Sequence, residues 1–173
     1  MNSDDAPKKN AHPLLTVSGL LGGVIGFYCG IMLFIPFAGA MIALFLAKHF
    51  APATLKPFTA ALAVIFGHAV WMLVGGLLTH SIAPVIADVL IIAAGLLWLV
   101  LRPGLGAVIL LCIYEVVCLV VNGVEIMPLD FGTPMHKALS AHIALRLFAV
   151  GALIAGCRQF RKEQAELADE AAQ

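Results

Sequence analysis

PGLGAVILLCIYEVVCLVVNG, residues 103–123, carries 21 residues that are almost all apolar, with Glu115 set past the midpoint. A stretch of that length and hydrophobicity is long enough to cross the hydrocarbon core of a bilayer as a helix. A carboxylate inside such a helix is costly unless it faces other helices, water or a charge of opposite sign. The reading of this one segment, a spanning helix with a misplaced charge, sets the terms for the rest of the chain.

The whole chain agrees with it. Of 173 residues, 62% are hydrophobic and 12% charged, and the mean hydropathy is +1.03. A soluble domain cannot bury that much apolar surface, so the composition predicts an all-α, polytopic integral membrane protein. The chain has no basic patch with interleaved aromatics, which excludes a nucleic-acid partner. Cys29, Cys112, Cys118 and Cys157 sit in or beside apolar segments without CxxC spacing. They read as small packing residues, with neither a disulfide framework nor a metal site expected.

Residues 1–13 form a polar N-terminal segment. Leu14–Ala47 is then free of charge for 34 residues. One helix of that length would measure ~50 Å, against a hydrocarbon core of ~30 Å. A break is therefore expected at Ile35-Pro36-Phe37-Ala38-Gly39. The run is also far longer than the apolar region of a secretory signal, so it reads as a retained anchor. The expected spans are about 14–34, 38–51, 57–79, 82–101, 103–122 and 137–157, giving a six-helix membrane domain over 14–157 and a tail over 158–173. The short second span leaves a re-entrant hairpin, with the same parity, as the alternative for the first two.

Charge bias supports the count. With six spans, Lys8, Lys9, Lys48, Lys56, Arg102, Arg158, Arg161 and Lys162 fall on one side, and only Lys137 falls in a connection on the other. Positive residues favour the cytoplasm, so both termini are expected inside, in a bacterial cytoplasmic (inner) membrane.

Depth counting, at ~1.5 Å per residue, picks out the candidate functional residues. Glu115 lies twelve residues beyond Pro103 and His68 eleven beyond Pro57, so both sit at ~16–18 Å from the inner boundary. Arg146 enters from the opposite side at ~12–13 Å. Three ionisable residues on three helices thus share one layer in the outer half of the bilayer. His142 is one turn from Arg146 on the same face, and Asp88 lies near the outer end of the fourth span. Glu115, Cys118 and Asn122 share a helix face, with Tyr114 beside it. Trp71 is one turn from His68, and Trp98 fits an interfacial anchor.

Two readings of this layer compete. In one, Glu115 and Arg146 form a salt bridge that clamps two helices and His68 is a hydrogen-bonded packing residue. In the other, Arg146 holds an anionic group of a small-molecule solute while Glu115 or His68 holds a cationic group or a proton. A third signal lies in the first span, where Gly22, Gly26 and Gly30 recur every four residues. Such a groove lets a second helix approach closely, whether from this chain, a second copy in a homo-oligomer, or a membrane partner protein.

No GxSxG, HExxH or phosphate-cradling Gly-Lys-Ser/Thr pattern occurs in the chain, so an enzyme is not expected, and neither is a cofactor. Six short spans, a polar layer in the outer half and a glycine-rich first helix resemble the substrate-binding components of energy-coupling-factor vitamin importers. The resemblance is one of architecture and carries over no residue role; it implies a small ligand bound from outside and an ATPase-driven partner complex. The expected function is a small membrane transport protein or a solute-binding membrane subunit. The alternatives are a structural or assembly subunit docking through the glycine-rich helix and, more remotely, a proton or ion pathway through His68 and Glu115.

Overall fold

In lipid an unpaired backbone group has no water to turn to, so long apolar segments satisfy their amides internally as helices. A computed structural model describes residues 29–171 of the chain. It contains α1 (Phe34–Phe50), α2 (Thr59–Leu78), α3 (Ile82–Leu101), α4 (Leu105–Ile126) and α5 (Pro134–Ala171), with no strand among the described residues. Single 3-10 segments, Gly30–Leu33 and Ala53–Phe58, lead into α1 and α2. Four helices are long and apolar enough to cross a membrane: α2 with its lead-in (26 residues), α3, α4 and α5. The 17-residue α1 is apolar but shorter, at ~26 Å against a ~30 Å core.

Helices α2, α3, α4 and α5 close a ring in which each touches the next and α5 returns to α2, while α1 packs on the outside of α2. Hence α2 is the central element: 56% of its apolar stretch is buried, against 17% for α3. Phe58, Ile65, Ile92, Leu99, Leu111 and Leu153 are fully buried between the helices. Lipid tails are as apolar as these side chains, so close packing, not water exclusion, holds the bundle together. Glycine makes the tightest approaches. A Cβ on Gly39 would come within 3.0 Å of Gly67 Cα, and one on Gly67 would run into the Pro36 carbonyl, so α1 and α2 cross backbone to backbone. A Cβ on Gly156 would lie 2.6 Å from the Pro57 carbonyl oxygen, which seats α5 on the start of α2.

Several boundaries differ from those expected. The break before α1 falls at Gly30, with φ of +61°, and not at Pro36, which is the third residue of α1. A proline in the first turn forfeits no hydrogen bond, because that amide has no intrahelical acceptor. Pro57 sits inside the 3-10 lead-in, and α2 begins only at Thr59, whose hydroxyl donates to the Lys56 carbonyl at 2.9 Å. Residues 82–101 form α3 as expected. Asn122-Gly123 does not stop α4, which continues to Ile126. The last helix starts at Pro134, where the Thr133 hydroxyl accepts the His136 amide at 3.3 Å, and it runs unbroken for 38 residues through most of the expected tail. The described residues thus contain five helices where six spans were expected. The expected first span, with Gly22 and Gly26, lies outside the described residues except for residues 29–34.

One end of the bundle is basic. The α1 C-terminus carries Lys48, the α2 lead-in Lys56 and the α3–α4 turn Arg102. Phe58 and Phe160 meet at that end with ring centroids 5.5 Å apart, so Arg158, Arg161 and Lys162 belong to it too.

Candidate functional site

The ring of helices brings six side chains to one level of the interior. Helix α2 supplies His68 and Trp71, three residues apart and so on one face. Helix α4 supplies Tyr114 and Glu115, and α5 supplies His142 and Arg146, one turn apart. His68 and Glu115 are fully buried, and Arg146 is 2% exposed.

Two polar pairs occupy this level. Arg146 Nη1 donates to Glu115 Oε2 at 2.8 Å, joining α5 to α4. His68 Nε2 and His142 Nδ1 are 2.7 Å apart, joining α2 to α5; the bond requires one nitrogen to carry a hydrogen and the other a lone pair. Because His142 and Arg146 lie on one face of α5, that helix links the two pairs, and Arg146 is within electrostatic range of both imidazoles. Aromatic rings flank them. Trp71 stacks on His142 with centroids 4.3 Å apart and an interplanar angle of 37°. The Arg146 guanidinium carbon lies 5.6 Å from the centre of the Tyr114 ring, within cation–π range.

The pairs do not use all their hydrogen-bonding capacity. His68 Nδ1, Tyr114 Oη, Glu115 Oε1 and Arg146 Nε are buried without a hydrogen-bond partner among the described residues. Each such group costs about 1–3 kcal/mol when left unmade. Together they offer a donor (Arg146 Nε), an acceptor (Glu115 Oε1) and two groups able to serve as either, depending on tautomer or hydroxyl rotation. That set complements a small molecule or group carrying both donors and acceptors.

The other expected residues fall at the margin. Asp88 on α3 is half-buried and within electrostatic range of Glu115; with Cys118 it is a neighbour of the Tyr114 hydroxyl, beyond hydrogen-bond geometry. Asn122 is half-buried two turns along α4 from Glu115, and no hydrogen bond joins it to the cluster. Gly30 opens the turn before α1 with nothing within 4 Å of where its Cβ would be; Gly22 and Gly26 lie outside the described residues. The His68–His142 bond and the stacking of Trp71 on His142 were not anticipated, although the spacings of three and four along α2 and α5 put the right residues on shared faces. No group of three His, Cys, Asp or Glu side chains able to hold a metal ion occurs among the described residues. Two apolar clefts of about 290 Å³ each lie elsewhere, one among α1, α2 and α3 and one between α4 and α5; neither is lined by a residue of the cluster.

Compared with protein-family models, curated proteins and solved structures, the chain matches none.

Proposed function

We propose that this chain is a membrane transport protein, or the solute-binding membrane subunit of a transporter, and that the cluster around Glu115 and Arg146 is where a small polar solute is held. The observation that carries this reading is that four buried polar atoms, on α2, α4 and α5 at one level of the bundle, lack a partner among the described residues. A bundle built for packing alone gains nothing from them, whereas a solute could satisfy several at once. Arg146 would take an anionic or carbonyl group, Glu115 a cationic or donor group, and Trp71 and Tyr114 would flank it. Glu115 and Arg146 pair with each other at 2.8 Å, so binding would exchange their contact for contacts with the solute.

The same reading puts the basic end, and with it the tail of α5, in the cytoplasm and the α4–α5 connection outside, in a bacterial cytoplasmic membrane. It is supported by the gathering of Lys48, Lys56, Arg102, Arg158, Arg161 and Lys162 at one end, with Lys137 at the other.

Thermal-shift screening in detergent tests the reading, using small zwitterions, carboxylates and amines. At least one should raise the melting temperature of the wild type and lose that effect in Tyr114→Phe. If no solute stabilises the wild type, the proposal fails.

A structural or assembly subunit is the second reading, favoured by the 2.8 Å Glu115–Arg146 contact acting as a clamp between α4 and α5. Its partner would be a larger membrane protein or a second copy. Exchanging the two residues discriminates between the readings. A Glu115→Arg/Arg146→Glu protein that regains both fold and cellular function favours the clamp. One that regains the fold alone favours the solute site.

A further inference from the structure

The cleft between α4 and α5 opens at the basic end of the bundle and reaches, at Cys112 and Ile113, to within one turn of Glu115. Its walls are two stripes at helical spacing. On α4, Ile109, Cys112 and Ile113 recur at three and four residues; on α5, Ile154, Arg158 and Arg161 recur at four and three. Residues so spaced lie along one helix face. The three isoleucines are 45–58% exposed, so the cleft opens to whatever surrounds the bundle and not into its interior.

Its position along the membrane follows from counting. About 20 residues of helix cross the hydrocarbon core, so a span beginning near Lys137 ends near Cys157. Arg158 and Arg161 then emerge at headgroup level, with Ile154 and the α4 isoleucines below them among the acyl chains. From Arg161 to Ile154 the cleft runs ~10 Å along α5.

The charges at its mouth are unsatisfied. Lys162 pairs with Glu166 at 3.7 Å and Glu163 accepts from Gln159 at 2.9 Å. Neither Arg158 nor Arg161 has an ion-pair partner among the described residues. Guanidinium groups match the phosphate fork better than ammonium groups do. Basic pockets between spanning helices, at the membrane face where positive residues gather, suit anionic lipid headgroups.

We infer that the α4–α5 cleft binds an anionic phospholipid, with Arg158 and Arg161 on its phosphate and an acyl chain laid along Ile154, Ile109 and Ile113. None of the residues that line it belongs to the polar cluster.

Native mass spectrometry of the full chain in detergent, titrated with phosphatidylglycerol or phosphatidylcholine, tests this. Phosphatidylglycerol should bind more tightly than phosphatidylcholine. Arg158→Gln/Arg161→Gln should weaken it by roughly thirtyfold, from two headgroup-level charges together. Lys162→Gln, which removes a paired charge outside the cleft, should leave binding unchanged. Ile154→Trp should weaken binding by filling the cleft while keeping both arginines. Four results would overturn the assignment: equal affinity for the two lipids, an equal loss in Lys162→Gln, no loss in Ile154→Trp, or inorganic phosphate displacing the lipid at millimolar concentration. The last would identify a free-anion site.

Discussion

Taking away the guanidinium at Arg146 strands the Glu115 carboxylate in the middle of the bundle, and taking away the carboxylate strands the guanidinium. Arg146→Leu or Glu115→Leu should therefore each cost about 3–5 kcal/mol, whereas replacing both with apolar residues should restore most of it. Reversible unfolding in mixed micelles measures both. The His68–His142 bond carries less. His142→Phe keeps a ring against Trp71 but loses the bond, and hydrogen bonds between spanning helices average about 0.6 kcal/mol with a ceiling near 2. A loss of about 1 kcal/mol is expected. At this scale the sequence was readable in depth but not in azimuth. Counting from Pro103 and from the start of the last span brings Glu115 and Arg146 to one level, because helical rise is constant. Whether they face each other depends on how α4 and α5 are rotated, which packing decides. The same limit hid the pairing of His68 with His142, two residues whose levels were known but whose facing sides were not.

Among the helices, the α1–α2 crossing is the most exacting contact. Gly67→Val would put its Cβ into the Pro36 carbonyl, a backbone atom that no side-chain rotation can move aside. A loss of about 1–3 kcal/mol, typical of overpacking, is expected. Gly151 is the opposite case, exposed on α5 with nothing within 4 Å of a built Cβ. Gly151→Ala should be neutral or stabilising by up to about 1 kcal/mol through helix propensity. The same unfolding measurement compares the two, and equal destabilisation would contradict the crossing described. Helix ends were the least legible part of the fold. Hydrophobicity marks α3 to its observed bounds, but Pro36 and Pro57 mislead: each is tolerated near a helix start, so a proline marks a break or a beginning with equal sequence signal. Gly30, one of five glycines over residues 19–30, gives no sign in the sequence that its backbone takes the positive φ at the turn.

Over the described residues the molecule is a ring of four helices long and apolar enough to span a membrane, one of which outruns the rest, with a fifth, shorter helix on its flank. Beyond Phe160, which packs on Phe58, the end of α5 has only Lys162–Glu166 on its own surface among the described residues, and no buried residue after Gly156. Truncation after Arg161 should therefore change stability by no more than about 0.5 kcal/mol, as expected of exposed residues outside a core. A larger loss on unfolding would mean that the helix end is held against something.

The unbroken course of α5 has a mechanical consequence. Arg146 and Glu170 lie on one continuous helix, 24 residues and ~36 Å apart. Gly156 on Pro57 and Phe160 on Phe58 hold the rod against the start of α2, so a tilt of about 10° pivoting at Phe160 would sweep Glu170, ~15 Å beyond it, through only about 3 Å. The charged stub is therefore carried as a rigid extension of the bundle, its direction set by the packing that ends at Phe160.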